Sequence, residues 1–223
     1  MSNKAYIKEI FTSIQGEGPY IGCKQLFIRF TTCNLNCKYC DTDFIHDLKE
    51  YTIDALLDEI NKETNIHSIS LTGGEPLLDS SFLINFLPLT NKKIYLETNG
   101  TLDKNLKKII DYVDIISMDI KLDSSANNGD LFKEHELFLN VAIEHNKEIF
   151  MKIVFDEHIR NEEIEKCINL AKQHNILIVL QPKMECNSLN LSEKIITIVF
   201  NKFTEKYDNV RLIPQVHKFI NVQ

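Results

Sequence analysis

Short runs of β-branched and apolar residues alternate with longer stretches of helical period along almost the whole chain. Residues 25–31, 68–71, 93–97, 115–120, 148–155, 176–180 and 210–213 read as strands. Within residues 162–174, Ile164, Cys167, Ile168 and Ala171 keep to one helix face, and Ile196, Val199, Phe200 and Phe203 repeat that spacing further on. Two more helices are expected from about Thr52 to Glu63 and from about Ser80 to Leu87, the second with Asp79 as its N-cap. The alternation argues for parallel βα units. No linker rich in Pro, Gly or Ser divides the chain, and residues 123–130 are few enough to form a loop, so one domain spanning residues 1–223 is expected.

The segments that follow the strands carry the polar character. Apolar runs end in Thr72-Gly-Gly-Glu-Pro76, Glu97-Thr-Asn-Gly100, Asp119-Ile-Lys121, Gln181-Pro-Lys183 and Gln215-Val-His217. Loops leaving the carboxyl ends of parallel strands gather on one face, where ligands bind. Polarity alone explains any one of these turns; five in the same phase predict a shared site.

Composition narrows the class. With 43% hydrophobic and 26% charged residues, the 223-residue chain has ordinary globular composition and enough length to bury a core without disulfides. A formal charge of −7 argues against a protein that grips nucleic acid through phosphates, and favours a small partner. The first residues lack the continuous apolar core of a signal peptide, and no apolar run is long enough to span a bilayer, so a cytoplasmic protein with no membrane partner is expected. In a reducing compartment Cys23, Cys33, Cys37, Cys40, Cys167 and Cys186 are metal ligands, reactive thiols or apolar residues rather than disulfides. Cys167, on an apolar helix stripe, reads as core.

Three thiols fall within eight residues, Cys33-Asn-Leu-Asn-Cys37-Lys-Tyr-Cys40, directly after a strand. A structural zinc site normally closes with four ligands, and neither Cys23 nor His46 extends the run with zinc-ribbon spacing. Three thiolates on a [4Fe–4S] cluster leave one iron without a protein ligand, which suits chemistry. Thiolate softness accommodates either metal, so the discrimination rests on the spacing.

That C-x3-C-x2-C spacing, with Tyr39 before the last cysteine and Gly73-Gly74-Glu75-Pro76 after the next strand, resembles the radical S-adenosylmethionine (SAM) enzymes. In these the open iron chelates SAM, and one electron breaks a C–S bond to give the radical that abstracts hydrogen from substrate. The segment Glu9-Ile-Phe-Thr-Ser-Ile-Gln-Gly-Glu-Gly18, Gly22, Phe27-Ile-Arg29, Asp41-Thr42 and Gln215-Val-His-Lys218 narrow the resemblance to the 7-carboxy-7-deazaguanine synthase family. The likeness is specific over the first hundred residues and loose from about 125 to 175. It implies conversion of 6-carboxy-5,6,7,8-tetrahydropterin to 7-carboxy-7-deazaguanine and ammonia, with one [4Fe–4S] cluster, SAM and Mg²⁺. It also implies a homodimer served by a flavodoxin or ferredoxin. The rival expectations are a glycyl-radical-enzyme activase and a non-enzymatic zinc-binding domain. A complete eight-unit barrel takes ~250 residues, so the expected fold is α/β, an open partial (β/α)6 barrel of the radical SAM type, modified and compact.

Site residues follow from the resemblance. Cys33, Cys37 and Cys40 would hold the cluster, and Thr42 the Mg²⁺ ion. SAM would meet Tyr39, Cys40, Asp41, Gly73, Gly74, Glu75, Ser117, Asp119, Lys121 and Gln181. Substrate would meet Ile14, Gln15, Gly16, Glu17, Arg29, Thr72 and the terminal carboxylate of Gln223. A substrate loop (12–24), a cluster loop (32–42) and a C-terminal segment (208–223) would close the site. Physically, Arg29 suits a forked pair with a carboxylate, and Ser117, Asp119 and Lys121 alternate toward one face. Asn99-Gly100 reads equally well as a turn. Cys23 and Cys186 receive no role.

Overall fold

A computed structural model of the chain describes residues 3–40, 48–185 and 188–222. Among the described residues one nine-stranded sheet dominates, in the order β11-β8-β7-β6-β5-β4-β2-β1-β3. Its parallel part is β2 (Lys24–Phe30), β4 (Ser68–Gly73), β5 (Ile94–Thr98), β6 (Ile115–Ile120), β7 (Glu148–Phe155), β8 (Leu177–Pro182) and β11 (Val210–Leu212). Six crossovers join them, through α1 (Ile53–Asn61), α2 (Ser80–Phe86), α3 (Asp103–Ile109), α5 (Phe132–Glu144), α6 (Asn161–Lys172) and α7 (Glu193–Thr204). Strand order follows chain order without reversal, so the sheet curls as part of a barrel instead of winding both ways from a switch point. β1 (Lys4–Ile14) and β3 (Lys49–Thr52) extend it antiparallel beyond β2, and its two ends, β3 and β11, do not pair. The open partial barrel with six βα units is what was expected. A one-turn α4 (Asp123–Ala126), a small hairpin of β9 (Met184–Glu185) and β10 (Ser188–Leu189), and α8 (Val216–Ile220) complete the chain.

The expected strands agree to within a residue or two, because strands buried on both faces read as nearly continuous apolar runs. Three expectations need correction in part. Asp79 occupies the N-cap position of α2, as expected, but its side chain makes no capping hydrogen bond; the Glu75 carboxylate accepts from Leu77 N at 3.1 Å and caps the 3-10 turn Pro76–Asp79 that leads into α2. Residues 123–130 are not loop throughout, since α4 occupies the first half. Lys121 lies one residue beyond the end of β6.

Side-chain alternation divides the sheet into two faces. Ile69, Leu71, Leu96, Ile116, Met118, Met151, Ile153 and Leu180 point outward into the main core beneath the helices, where Cys167 is fully buried, as read from its stripe. The inward positions form two layers. Tyr95, Ile115, Phe150 and Val179 make a small apolar cluster that plugs the amino end of the strands. Nearer the carboxyl ends the inward positions turn polar, and register places Glu97 beside Ser117, Asp119 beside Lys152 and Val154 beside Gln181. The plug keeps that polar layer in a closed-bottomed cup. Asp41, Thr42, His46, Cys186 and Gln223 lie outside the described residues.

Candidate active site

All five polar strand-end segments meet in one cavity of about 460 Å³ above the plug, which takes lining residues from each: Thr72, Glu97, Asp119, Gln181, Gln215 and their neighbours. The cluster loop supplies Cys33, Cys37, Tyr39 and Cys40, and the β1–β2 connection supplies Ile14, Gln15, Gly16 and Glu17. Gly73, Gly74, Arg29, Ser117 and Lys121 also face it.

The three thiols line the cavity together without the close grouping that a single ion would draw. Among the described residues, Asp156, Glu157 and His158 are the group of three whose ligand atoms lie within 4.8 Å of one another. The cysteine sulfurs do not form such a group, whereas thiolates at ~2.3 Å around a tetrahedral zinc would sit about 4 Å apart. Burial raises the Cys33 and Cys37 thiols above the ordinary range, so ionisation waits for a metal.

Backbone closeness builds the wall opposite. Gly74 N donates to Phe30 O at 3.1 Å and Glu75 N to Thr32 O at 2.7 Å, tying the strand end after β4 to the start of the cluster loop. A Cβ on Gly74 would fall on the Thr32 carbonyl, so only glycine fits this approach. Glu75, expected to touch SAM, does not line the cavity. It is fully buried, accepting from Leu77 N, from Thr98 Oγ1 at 2.9 Å and from Asn99 N at 2.8 Å. Burial pushes its carboxyl up to about 7, against the pull of those neutral donors. Its part is to fix the loop whose glycines face the cavity. Asn99 is more than a turn residue: its Nδ2 donates to Asn34 Oδ1 at 2.9 Å, bracing the cluster loop.

The opposite side is ionic. Lys121 Nζ pairs with Asp119 Oδ2 at 2.9 Å, donates to the Tyr39 hydroxyl at 3.3 Å and sits 5.2 Å over that ring. Asp119 Oδ2 also lies 3.4 Å from Lys152 Nζ, which in turn pairs with Glu17. Glu17 Oε1 accepts from Gln215 Nε2 at 2.6 Å, and Val216 N donates to Gly16 O at 2.9 Å. Burial works to raise the Glu17 carboxyl, but the Lys152 ammonium and the hydrogen bonds from Lys152 and Gln215 hold it down at about 2. Burial likewise opposes the charged Lys152, and Glu17, Asp119 and Glu97 override it, raising that lysine. Beneath this chain Gln15 Nε2 donates to Glu97 Oε1 at 2.9 Å and Thr72 Oγ1 to Glu97 Oε2 at 2.8 Å. Arg29 lines the cavity, pairs through Nε with Glu9 at 2.6 Å and holds its guanidinium 5.7 Å over the Phe11 ring.

Two buried polar atoms of the lining have no partner among the described residues, Asp119 Oδ1 and Gln181 Oε1. Together with the wide-set thiols and the glycine wall they fit a cluster and a polar nucleoside-bearing cofactor. Lys152 and Glu97 were not singled out from sequence as site residues. The signal existed for Lys152, the one charge within the otherwise apolar 149–155 run, at an inward-facing alternate position.

The radical SAM superfamily model matches residues 27–182. The chain is 35% identical to 7-carboxy-7-deazaguanine synthase of Geobacter sulfurreducens, with 97% of each chain covered. It is 34% identical to that of Archaeoglobus fulgidus, over 99% of this chain and all of that one. Among solved structures, QueE from Escherichia coli superposes with a TM-score of 0.67 at 20% identity, covering 96% of this chain and 95% of that one. The fold also matches anSMEcpe with bound AdoMet, at a TM-score of 0.58 and 17% identity, over 81% of this chain and 59% of that one.

Proposed function

Because the chain belongs to the 7-carboxy-7-deazaguanine synthase family of the radical SAM superfamily, we propose that its cavity holds a [4Fe–4S] cluster and SAM beside the cluster loop and a carboxypterin beside Glu17 and Arg29. The chain is a radical SAM lyase of deazapurine biosynthesis, forming 7-carboxy-7-deazaguanine from 6-carboxy-5,6,7,8-tetrahydropterin. When bound, the cluster and SAM supply the one-electron chemistry that starts the ring contraction.

The chain's own residues bind and orient. Cys33, Cys37 and Cys40 hold the cluster; the Gly73-Gly74 backbone, Ser117, Asp119 Oδ1, Gln181 and Tyr39 hold SAM. The terminal nitrogens of Arg29 take the substrate carboxylate, helped by Mg²⁺ on Thr42, an ion that needs few protein oxygens. The ionised Glu17 carboxylate accepts from the N–H edge of the pterin, with Gln15 and Thr72 alongside. The Gln15–Glu97 and Lys152–Glu17 bonds set those side chains before substrate arrives, which favours orientation over chance encounter. The terminal carboxylate of Gln223 and Asp41 complete the two subsites. Residues 1–223 form one domain, and it works in the cytoplasm as a homodimer supplied with electrons by a flavodoxin or ferredoxin.

The observation that carries this reading is the convergence of three wide-set thiols and five polar strand ends on one closed-bottomed cavity. The test is anaerobic incubation of the reconstituted protein with SAM, dithionite and 6-carboxy-5,6,7,8-tetrahydropterin, with and without Mg²⁺. 7-Carboxy-7-deazaguanine should form, faster with Mg²⁺, and Thr42→Ala should lose that metal response. Absence of product from a protein with full iron and sulfide would overturn the substrate assignment, and stoichiometric zinc would overturn the cluster.

A further inference from the structure

The connection after β6 meets the cluster loop through Lys121, which donates to the Tyr39 hydroxyl, and through Asn128, which reaches a cysteine. Asn128 Nδ2 donates to Cys37 Sγ at 3.1 Å. The same amide accepts from Asn36 N through Oδ1 at 3.1 Å, and that backbone donor fixes which end of the amide faces the sulfur. Lys38 N donates to Ala126 O at 3.0 Å, so the two loops are bonded through both backbone and side chain. The approach is braced from behind: Asn127 takes the left-handed conformation at φ 59°, Gly129 N donates to Asp123 Oδ1 at 2.9 Å, and Asp123 pairs with Arg160 at 3.0 Å. Cys33 Sγ accepts instead from a backbone group of its own loop, Leu35 N at 3.5 Å, with Asn99 Nδ2 3.9 Å away and also donating to Asn34.

An N–H donor aimed at a ligating sulfur stabilises the form of the cluster with more negative charge, and hydrogen bonds to the sulfurs are among the levers that set reduction potential. We propose that Asn128 is a positioning residue that tunes the cluster, raising the potential at which it accepts its electron by donating to the sulfur of Cys37. One electron enters from an external one-electron donor, dithionite in the experiment below, and leaves the cluster one unit more negative. The Asn128 dipole favours that product. The inference rests on the assignment of the cluster to Cys33, Cys37 and Cys40.

The test is a potentiometric titration of the reconstituted, SAM-free holoenzyme, with the reduced cluster followed by electron paramagnetic resonance. Asn128→Ala removes both donor and acceptor. Asn128→Asp keeps the oxygen that receives Asn36 N–H but replaces the donor with a negative charge. The midpoint should fall in the order wild type, Asn128→Ala, Asn128→Asp, at equal iron and sulfide content. A merely structural anchor predicts that the Ala variant, at equal iron and sulfide content, titrates with the wild type, and that result would overturn the proposal. If both variants fail to retain iron while the wild type keeps it, Asn128 serves retention and the tuning idea is lost. A wild-type chain that takes up no cluster removes the thiol assignment itself, an outcome distinct from a loaded protein whose potential ignores residue 128.

Discussion

Two glutamates on opposite walls of the cavity meet burial in opposite ways. Glu75, fully buried, is surrounded by neutral donors, two backbone N–H groups and a threonine hydroxyl, and its carboxyl is pushed up to about 7. Glu17, also largely buried, has the Lys152 ammonium against it and is held down at about 2. Desolvation acts on both; a full opposite charge overcomes it and hydrogen bonds alone do not. The two walls are therefore built on different principles. The glycine wall, which the proposed reading makes the cofactor wall, is a neutral lattice of backbone contacts and amides that fixes shape, whereas the facing wall, the substrate wall at its Glu17 end and proposed for SAM at Asp119, is a chain of ion pairs, Lys121–Asp119–Lys152–Glu17, that fixes charge.

If the cofactor wall works through shape, the smallest added volume should break it most completely. Gly74→Ala drives a Cβ into the Thr32 carbonyl, which cannot yield like the end of a flexible side chain because it accepts from Glu75 N. The cluster loop must shift, and a displacement of ~1 Å at a reacting centre costs on the order of 100-fold in rate. Equilibrium dialysis should show SAM binding lost together with turnover while circular dichroism stays unchanged. Near-wild-type SAM affinity would show that shape is not what this wall supplies.

The substrate wall should fail through charge. Lys152→Met leaves Glu17 buried with only Gln215 as a partner, and breaking a buried pair from one side costs about 3–5 kcal/mol. Glu17→Gln should cost less, because Lys152 still faces Asp119 at 3.4 Å. Combining the two should recover part of the loss, since no carboxylate is then stranded against the methionine. Urea unfolding of the four proteins closes that cycle, and strictly additive losses would mean that the pair carries no coupling.

The sequence showed one wall far better than the other, for reasons that lie in the same physics. The cofactor wall is local: three thiols within eight residues and two glycines side by side are legible because neighbours in the chain are neighbours in space. Even there Glu75 was misplaced, since a motif says that a residue matters without saying which way it points. The substrate wall joins residues 135 and 198 positions apart, Glu17 with Lys152 and with Gln215, and only the barrel's register brings them together. Among the elements, the buried parallel strands were plain. β1 was not anticipated because its polar residues are interleaved and most of its side chains are only partly buried. α5 was not anticipated either, because a buried His135 and an exposed Leu137 break its apolar stripe.

The finest test of the contrast uses pH, because the neutral wall holds a second displaced group of opposite sign. His135, buried beside the same turn, bonds through Nε2 to Asn99 O at 3.1 Å, while Asn99 N donates to Glu75 at 2.8 Å. Burial lowers the His135 imidazole to about 4 from 6.5. Its contribution to stability is complete above pH 6.5 and is lost as pH falls toward 4. Glu75, raised from 4.5 to about 7, contributes fully below pH 4.5 and loses its contribution as pH rises through 7. Each shift corresponds to at most about 3 kcal/mol, and between pH 4.5 and 6.5 the two slopes oppose each other. The cluster-free wild-type chain should therefore change little from these groups across that window. His135→Phe should expose the Glu75 slope, so that its urea midpoint falls as pH rises from 4.5 to 7, and Glu75→Gln should expose the reverse. Glu17 adds its own loss only as pH falls from 4.5 toward 2, so the ionic wall stays silent throughout the window. A His135→Phe profile parallel to that of the wild type would mean that the neutral wall has no balanced pair and that its two buried groups titrate as in the unfolded chain.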